Sequence, residues 1–160
     1  MKNLRRKLKD QRGFNLIELM IVIAIIALLI GVGVPAWQSM VRSGNETTGV
    51  QSVSTIRTLQ GQYASKHQGK FAPNFDELIK SVQLDDKFKG ESPVINGYIY
   101  KMTVQESSGT QPSFYSITAD PQVSEGVTAT GNRHFYFDST LGTIKSTEEN
   151  RPAKADDPSI

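Results

Sequence analysis

The sequence predicts an α+β fold in which a long amino-terminal helix packs on a small antiparallel sheet of about four strands. Two observations support this prediction. Every residue from Leu19 to Trp37 is apolar, Gly or Pro, and an amphipathic helical pattern follows it. From residue 97 onwards, apolar residues recur with a period of two, which is typical of strands. Helix and strands occupy separate parts of the chain, as in α+β proteins.

Composition excludes several other classes of protein. The 160 residues include 13 Gly, 7 Pro and no Cys, with 21% charged residues and a net charge of +2. These values exclude a collagen-like chain, a highly charged disordered chain and a disulfide-stapled miniprotein. The apolar residues are concentrated near the amino terminus, so the average composition conceals two different parts.

The apolar run is long enough to cross a bilayer. Its 19 residues from Leu19 to Trp37 would form a helix of about 28 Å, close to the ~30 Å hydrocarbon thickness. A helix in a soluble core usually has polar interruptions every turn or two, and this run has none. We therefore predict a membrane-spanning helix.

Residues 1–13 form a basic leader with a local charge of +5. The positive-inside rule places this leader in the cytoplasm and the residues after Trp37 across the membrane. A secretory signal peptide is the main alternative, because residues 34–36 mimic a cleavage site. Its apolar core is usually only about 7–15 residues, and it rarely carries an acid such as Glu18.

Glu18 lies at the cytoplasmic edge of the apolar run. A carboxylate in hydrocarbon costs about 2.5–3.5 kcal/mol, so a cationic partner is expected. No Lys or Arg lies on the apolar helix, and the nearest are Lys9 and Arg12. Cutting the chain before Phe14 would create an ammonium group one helical turn from Glu18.

Residues 13–22, Gly-Phe-Asn-Leu-Ile-Glu-Leu-Met-Ile-Val, resemble the processing and methylation motif of type IV prepilins and type II secretion pseudopilins. The resemblance extends to about residue 40 and includes Pro35. Asn15 departs from the motif, where Thr or Ser is more usual. The resemblance implies a pilin-like fold, with a spine helix supporting a small sheet.

The resemblance also implies how the chain is processed and assembled. A prepilin peptidase would cut after Gly13 and methylate the amine of Phe14. Glu18 would then attract the Phe14 ammonium of a neighbouring subunit, because pairing offsets part of the cost of burying each charge. Pairing within one helix stays open. Local loosening of the helix on assembly is implied at Gly31, Gly33 and Pro35.

The implied partners are further copies of the chain, the prepilin peptidase, the inner-membrane assembly machinery, and minor pilins or pseudopilins. The implied location is the bacterial inner membrane with a periplasmic head, and later an extracellular pilus or a periplasm-spanning filament. Without the leader, the chain has 12 Lys and Arg against 15 Asp and Glu. No nucleic-acid partner is therefore evident.

The spine helix is predicted over residues 14–65, with 14–37 transmembrane and 38–65 amphipathic. Three glycines at 44, 49 and 61 weaken it by about 1 kcal/mol each relative to Ala. Its apolar stripe consists of Met40, Val41, Val50, Val53, Ile56, Leu59 and Tyr63.

Residues 66–160 form the predicted globular head. It begins with a short helix at 74–82, for which Asn74 is the cap and Glu77 completes a capping box. The sheet at 97–147 consists of runs at 98–105, 114–119 and 134–137 and a fourth centred on Ile144. The tail at 148–160 is predicted to be irregular.

The sequence does not support catalysis. His67 and His134 have no metal-ligand spacing, and phosphate-loop and nucleophile-elbow motifs are missing. We expect no cofactor and assign no metal ligand, although a structural calcium ion, as in several pseudopilins, stays open. Its candidate carboxylates are Asp85, Asp86, Asp120, Glu125, Asp138, Asp156 and Asp157.

Three functional hypotheses follow. The first is a structural subunit that polymerises through its amino-terminal helix into a type IV pilus. The second is a pseudopilin whose short filament drives protein export through a type II secretion system. The third is a membrane-tethered binding domain that never polymerises.

Overall fold

The computed structural model describes residues 13–108 and 111–160. Except for Gly13, the basic leader lies outside the described residues. The elements are α1 (Leu16–Lys66), α2 (Phe75–Val82), a 3₁₀ turn (Asp86–Phe88), β1 (Val94–Ile95), β2 (Tyr98–Gln105), β3 (Phe114–Pro121), β4 (His134–Asp138) and β5 (Lys145–Thr147). The predicted α+β fold with a long amino-terminal helix and an antiparallel sheet is confirmed.

The sheet has five strands instead of about four. Their order is β1-β2-β3-β4-β5, and each neighbouring pair is antiparallel. The additional strand, β1, has only two residues, and a tight turn at Asn96 and Gly97 joins it to β2. Both turn residues have positive φ angles, 48° and 73°, as a two-residue hairpin turn requires. The strand predicted around Ile144 begins one residue later, at Lys145.

The described chain divides into two compact units between Ala36 and Trp37. The first unit is helical, and α1 is long and apolar enough to cross a membrane. The second unit contains the hydrophobic core. In that core, Val53, Ile56 and Tyr63 of α1 are buried with the alternate strand residues of β2, β3 and β4.

The buried face of α1 differs from the predicted apolar stripe. Met40 and Val41 are exposed, whereas Glu46 and Gln60 are buried. Gln60 tolerates burial because its amide accepts from the backbone nitrogen of Ala72 (2.9 Å) and donates to the backbone oxygen of the same residue (3.1 Å). A buried polar group with both functions satisfied avoids most of its desolvation cost.

Gly49 lies on the buried face of α1. A Cβ at this position would come within 3.1 Å of the Phe135 ring. The absence of a side chain therefore lets the sheet approach the helix closely. This role differs from the purely destabilising effect expected from helix propensity.

Asn74 caps α2 as the sequence predicts, since its side-chain oxygen accepts from the backbone nitrogen of Glu77 at 2.8 Å. The predicted reciprocal bond of a capping box is wrong. The Glu77 carboxylate instead accepts from the Ser81 hydroxyl at 2.6 Å, one turn further along the helix.

The tail after β5 has no regular element but is attached to the sheet. The backbone nitrogen of Ser146 donates to the carbonyl of Pro158 at 2.9 Å, and that of Ile160 donates to the carbonyl of Ile144 at 3.1 Å. These bonds place the last residues of the chain beside β5.

Candidate assembly site

The amino-terminal motif forms a capping box at the start of α1. The Asn15 side chain accepts from the backbone nitrogen of Ile17, and the Glu18 carboxylate accepts from the backbone nitrogen of Asn15, both at 3.3 Å. The two side chains thus satisfy backbone donors that have no partner within the helix. This role of Asn15 was not predicted above, although an Asn followed three residues later by a Glu is its signal in the sequence.

Gly13 and Phe14 precede the first helical residue, and the Phe14 side chain is 92% exposed. A non-helical, exposed backbone is the form that a peptidase needs at a cleaved bond. In the uncleaved chain the nitrogen of Phe14 belongs to a peptide bond. The pairing of its amine with Glu18 therefore stays a prediction.

The first unit presents an almost continuous apolar surface. Each of its large apolar side chains between residues 16 and 34 is exposed: Leu16, Ile17, Leu19, Met20, Ile21, Val22, Ile23, Ile25, Ile26, Leu28, Leu29, Ile30, Val32 and Val34. Such a surface is stable only against lipid or other apolar protein surface.

The backbone at Gly31, Gly33 and Pro35 is helical. Pro35 has no amide hydrogen, so one bond of the helical ladder is missing there. A Cβ at Gly31 or Gly33 would meet no atom within 4 Å. These features weaken the helix locally, and its loosening on assembly stays a prediction.

In the second unit, α1 holds the connection between β3 and β4, residues 122–133, which we call the β3–β4 loop. The Arg42 guanidinium donates to the carbonyls of Gly126 (2.7 Å) and Ala129 (3.2 Å). The Asn45 amide donates to the carbonyl of Thr130 at 2.9 Å. Two polar side chains of the helix therefore fix the loop.

Glu46 extends this network towards β4. Its carboxylate accepts from the backbone nitrogen of Asn132 (3.0 Å) and from Nε of Arg133 (2.8 Å). The charge is thus paired and hydrogen-bonded, which a buried carboxylate requires. The sequence does not reveal this role, because Glu46 lies between Asn45 and Thr47 like any solvent-facing helix residue.

The only described histidine in the sheet, His134, is buried in β4, and its Nδ1 lies 2.6 Å from a carboxylate oxygen of Asp120. Neighbouring strands bring the two residues together, since Ala119 and Phe135 are register partners. The contact links two strands on the sheet face opposite α1. It gives His134 a structural position within the sheet.

The remaining carboxylates considered for calcium mostly serve local structure. Asp138 accepts from the backbone nitrogen of Thr140 at 2.8 Å and from the Tyr136 hydroxyl at 3.0 Å. Burial, together with Asp138, raises the pKa of Tyr136 to about 12. Asp157 pairs with Arg151. Among residues 13–108 and 111–160, no three His, Asp or Glu side chains are placed to hold a metal ion.

The amino-terminal part of the chain is similar to known proteins. A family model described as the prokaryotic N-terminal methylation motif matches residues 8–34. The prepilin peptidase-dependent protein D of Escherichia coli (strain K12) is 46% identical over 59 residues, which are 37% of this chain and 40% of that protein. A fimbrial protein of Pseudomonas aeruginosa is 43% identical over 51 residues, 32% of this chain and 33% of that protein.

A longer match extends beyond the amino-terminal helix. The type IV major alpha-pilin of Moraxella bovis is 33% identical over 144 residues, which are 90% of this chain and 72% of that protein. The two shorter matches span well under two thirds of their relatives. No solved structure matches the chain significantly.

Proposed function

The chain belongs to the type IV pilin family, and from this we propose that it is a structural subunit of a type IV pilus. In this proposal it is cleaved after Gly13, methylated at Phe14 and polymerised through α1. The observation that carries the proposal is the match to a major pilin over 90% of this chain. A match of 144 residues in a chain of 160 necessarily extends from α1 into the head.

The exposed apolar surface of α1 supports polymerisation. In the bilayer, lipid covers these side chains, and in a filament the helices of other copies would replace the lipid. Lipid tails are as apolar as Leu, so the exchange gains little hydrophobic free energy. A specific polar attraction is therefore needed to favour assembly, and Glu18 is the acid available for it.

The capping box supports this role of Glu18. It holds the carboxylate in the first turn, where the helix dipole stabilises negative charge. After cleavage, Phe14 would carry the nearest ammonium group. The Phe14 ammonium of a neighbouring copy would then meet a carboxylate already fixed in place.

We further propose that the head needs no cofactor. Arg151 binds both Glu149 and Asp157, each at 2.6 Å, and closes the tail where a disulfide or ion could otherwise do so. The proposed partners are the prepilin peptidase, the inner-membrane assembly machinery and minor pilins. The proposed route runs from the inner membrane, with the head in the periplasm, to the extracellular pilus.

Mass spectrometry of the mature amino terminus tests the processing step. We expect the chain to start at a methylated Phe14. Gly13→Val should leave uncleaved precursor in the membrane, because the peptidase loses the small residue before the cut. A mature start at Met1 or Trp37 would contradict the proposal.

The assembly step is tested with Glu18→Ala. We expect normal membrane insertion and cleavage but no filaments by electron microscopy, because the Phe14 ammonium loses its partner. Glu91→Ala, which removes an exposed acid of the head, is the matched control and should assemble. Normal filaments from Glu18→Ala would refute this role.

The methylation motif is shared by pseudopilins, so a secretion filament is the second candidate. Deleting the gene separates the two. Loss of surface pili and twitching supports the pilus, whereas loss of secreted enzymes with normal pili supports the pseudopilin.

A further inference from the structure

An open apolar groove lies between α1 and the β3–β4 loop. It has a volume of about 340 Å³, and its apolar lining includes Trp37, Val41, Val127 and Ala129. Trp37 is 68% exposed and Val127 is 69% exposed. Two large apolar side chains from distant parts of the sequence are thus presented together on the surface.

The loop is held in this conformation. The Thr130 hydroxyl donates to the carbonyl of Gly97 at 2.7 Å, and the Thr130 backbone nitrogen donates to the carbonyl of Val123 at 2.8 Å. The Arg42 guanidinium donates to two further carbonyls of the loop, those of Gly126 and Ala129. Val127 therefore cannot fold back into the core and stays on the surface.

The position of Trp37 in the chain identifies the partner. Trp37 is the last residue of the apolar run that spans the membrane in our proposal. Tryptophan concentrates at the membrane–water interface, where its ring lies among the headgroups. Val127 lines the same groove as Trp37. A Trp37 ring at that interface would therefore bring the β3–β4 loop close to it.

The charges nearby fit a phospholipid surface. Arg42 is the only charged residue between Trp37 and Asn45, and the β3–β4 loop carries Glu125 and Arg133, of which Arg133 pairs with Glu46. Glu125 accepts from the Asn150 amide at 3.2 Å. Apart from the Glu46–Arg133 pair, this surface has one cation and one acid, so it meets anionic headgroups without net repulsion.

We propose that the β3–β4 loop is a membrane-contacting element, in which Val127 and Trp37 lie together among the phospholipid headgroups before assembly. This inference rests on the membrane anchoring in the proposed function. Phospholipid is favoured over a second copy of the chain as the occupant, because Trp37 reaches the interface in every inserted subunit, whether or not others are near.

Single-cysteine labelling tests the proposal, since the chain has no cysteine. Full-length Val127→Cys carries an environment-sensitive fluorophore in vesicles of phosphatidylethanolamine and phosphatidylglycerol. We expect a blue shift and roughly a doubling of intensity relative to the same fluorophore coupled to free cysteine in buffer, because the label leaves water. Ser65→Cys is the control, exposed on α1 and about 42 Å from Trp37 along the helix, and should show no shift.

A label at Ala27→Cys, inside the apolar run, separates the two proposals. If the Ala27 label is buried in lipid and the Val127 label stays in water, the loop proposal is overturned and membrane anchoring stands. If the Ala27 label also stays in water, anchoring itself fails. A Val127 shift that appears only at high protein-to-lipid ratio would mean contact with a second copy and would overturn the lipid assignment.

The unmodified chain supplies a second measurement. Trp37 is the only tryptophan, so its emission reports on this groove alone. Headgroup-proximal spin-labelled lipids should quench it more strongly than lipids labelled deep in the acyl chain. Stronger quenching from the deep label, or none from either, would overturn the proposed depth.

Discussion

Asp157 and Arg151 close the tail of a chain that has no cysteine. The Arg151 guanidinium binds both oxygens of the Asp157 carboxylate, at 2.6 and 2.9 Å. The backbone nitrogen of Lys154 donates to the same carboxylate at 2.7 Å. These hydrogen bonds, chiefly those from Arg151, lower the pKa of Asp157 to about 2 from its usual 3.8.

The lowered pKa predicts how stability depends on pH. Because the folded pKa lies below the unfolded one, the stabilisation is complete above pH 3.8 and is lost as the pH falls towards about 2. We expect Asp157→Asn to lower the melting temperature at neutral pH, with a difference from wild type that shrinks across this window. Thermal melts monitored by circular dichroism measure it.

Asp156→Asn is the control for that series, because its side chain is exposed and adjacent in sequence. It should melt like wild type across the same pH range. A constant difference between wild type and Asp157→Asn from neutral pH to pH 2 would contradict a contribution from the ionisation of Asp157.

At the scale of elements, two glycines of α1 make a matched pair. A Cβ at Gly61 would meet no atom within 4 Å, whereas one at Gly49 would press on the Phe135 ring. Phe135 is fully buried and stacks on Tyr98 with ring centroids 5.7 Å apart, so it has little room to move. The same substitution should therefore have opposite effects at the two positions.

We expect Gly61→Ala to raise the free energy of unfolding by about 1 kcal/mol through helix propensity. Gly49→Ala should lower it by about 1 kcal/mol, because overpacking exceeds the gain in propensity. Urea unfolding of the full chain in detergent micelles measures both. Equal stabilisation by the two variants would contradict the close approach of sheet and helix.

Periodicity in the sequence was sufficient to predict the second half of α1, α2 and the longer strands, because each buries one face at a regular spacing. The first half of α1 was predictable from its uninterrupted apolar run. Periodicity was insufficient for β1, which is too short to show a period, although the Asn96-Gly97 turn marks the hairpin. The buried role of Glu46 depends on a loop atom 86 residues further along the chain, and that of Gln60 on loop atoms 12 residues further along. No local pattern contains that information.

The candidate assembly site and its surroundings also contain residues that the sequence reveals and contacts that it does not. Gly13, Phe14 and Glu18 are recognisable because they lie within the short stretch, residues 8–34, that matches the N-terminal methylation motif. The contact of Arg42 with the β3–β4 loop joins positions 84 residues apart. Such a contact is determined only by the assembled fold.

At the scale of the whole molecule, the two units differ in where their apolar side chains lie. The core of buried side chains begins at Val53 and ends at Ile144, so it lies wholly within the second unit. The exposed large apolar side chains are concentrated between residues 14 and 41. The second unit therefore has what a folded domain in water needs, and the first does not.

This division predicts that residues 37–160 alone form a folded monomer in water. We expect near-ultraviolet circular dichroism from the packed tyrosines and a single monomeric peak in size-exclusion chromatography. The chain from residue 14 should aggregate unless detergent is present. A fragment with helical far-ultraviolet signal but no near-ultraviolet signal would mean that the core requires the first unit.

The strand order of the sheet has a kinetic consequence. Each strand pairs with the next one along the chain, and no connection between neighbouring strands exceeds 12 residues, so only limited loop-closure entropy is lost at each step. Proteins rich in contacts between sequence neighbours fold rapidly. We therefore expect the strands of the sheet to pair progressively as the chain folds, with docking onto α1 as the later and slower event.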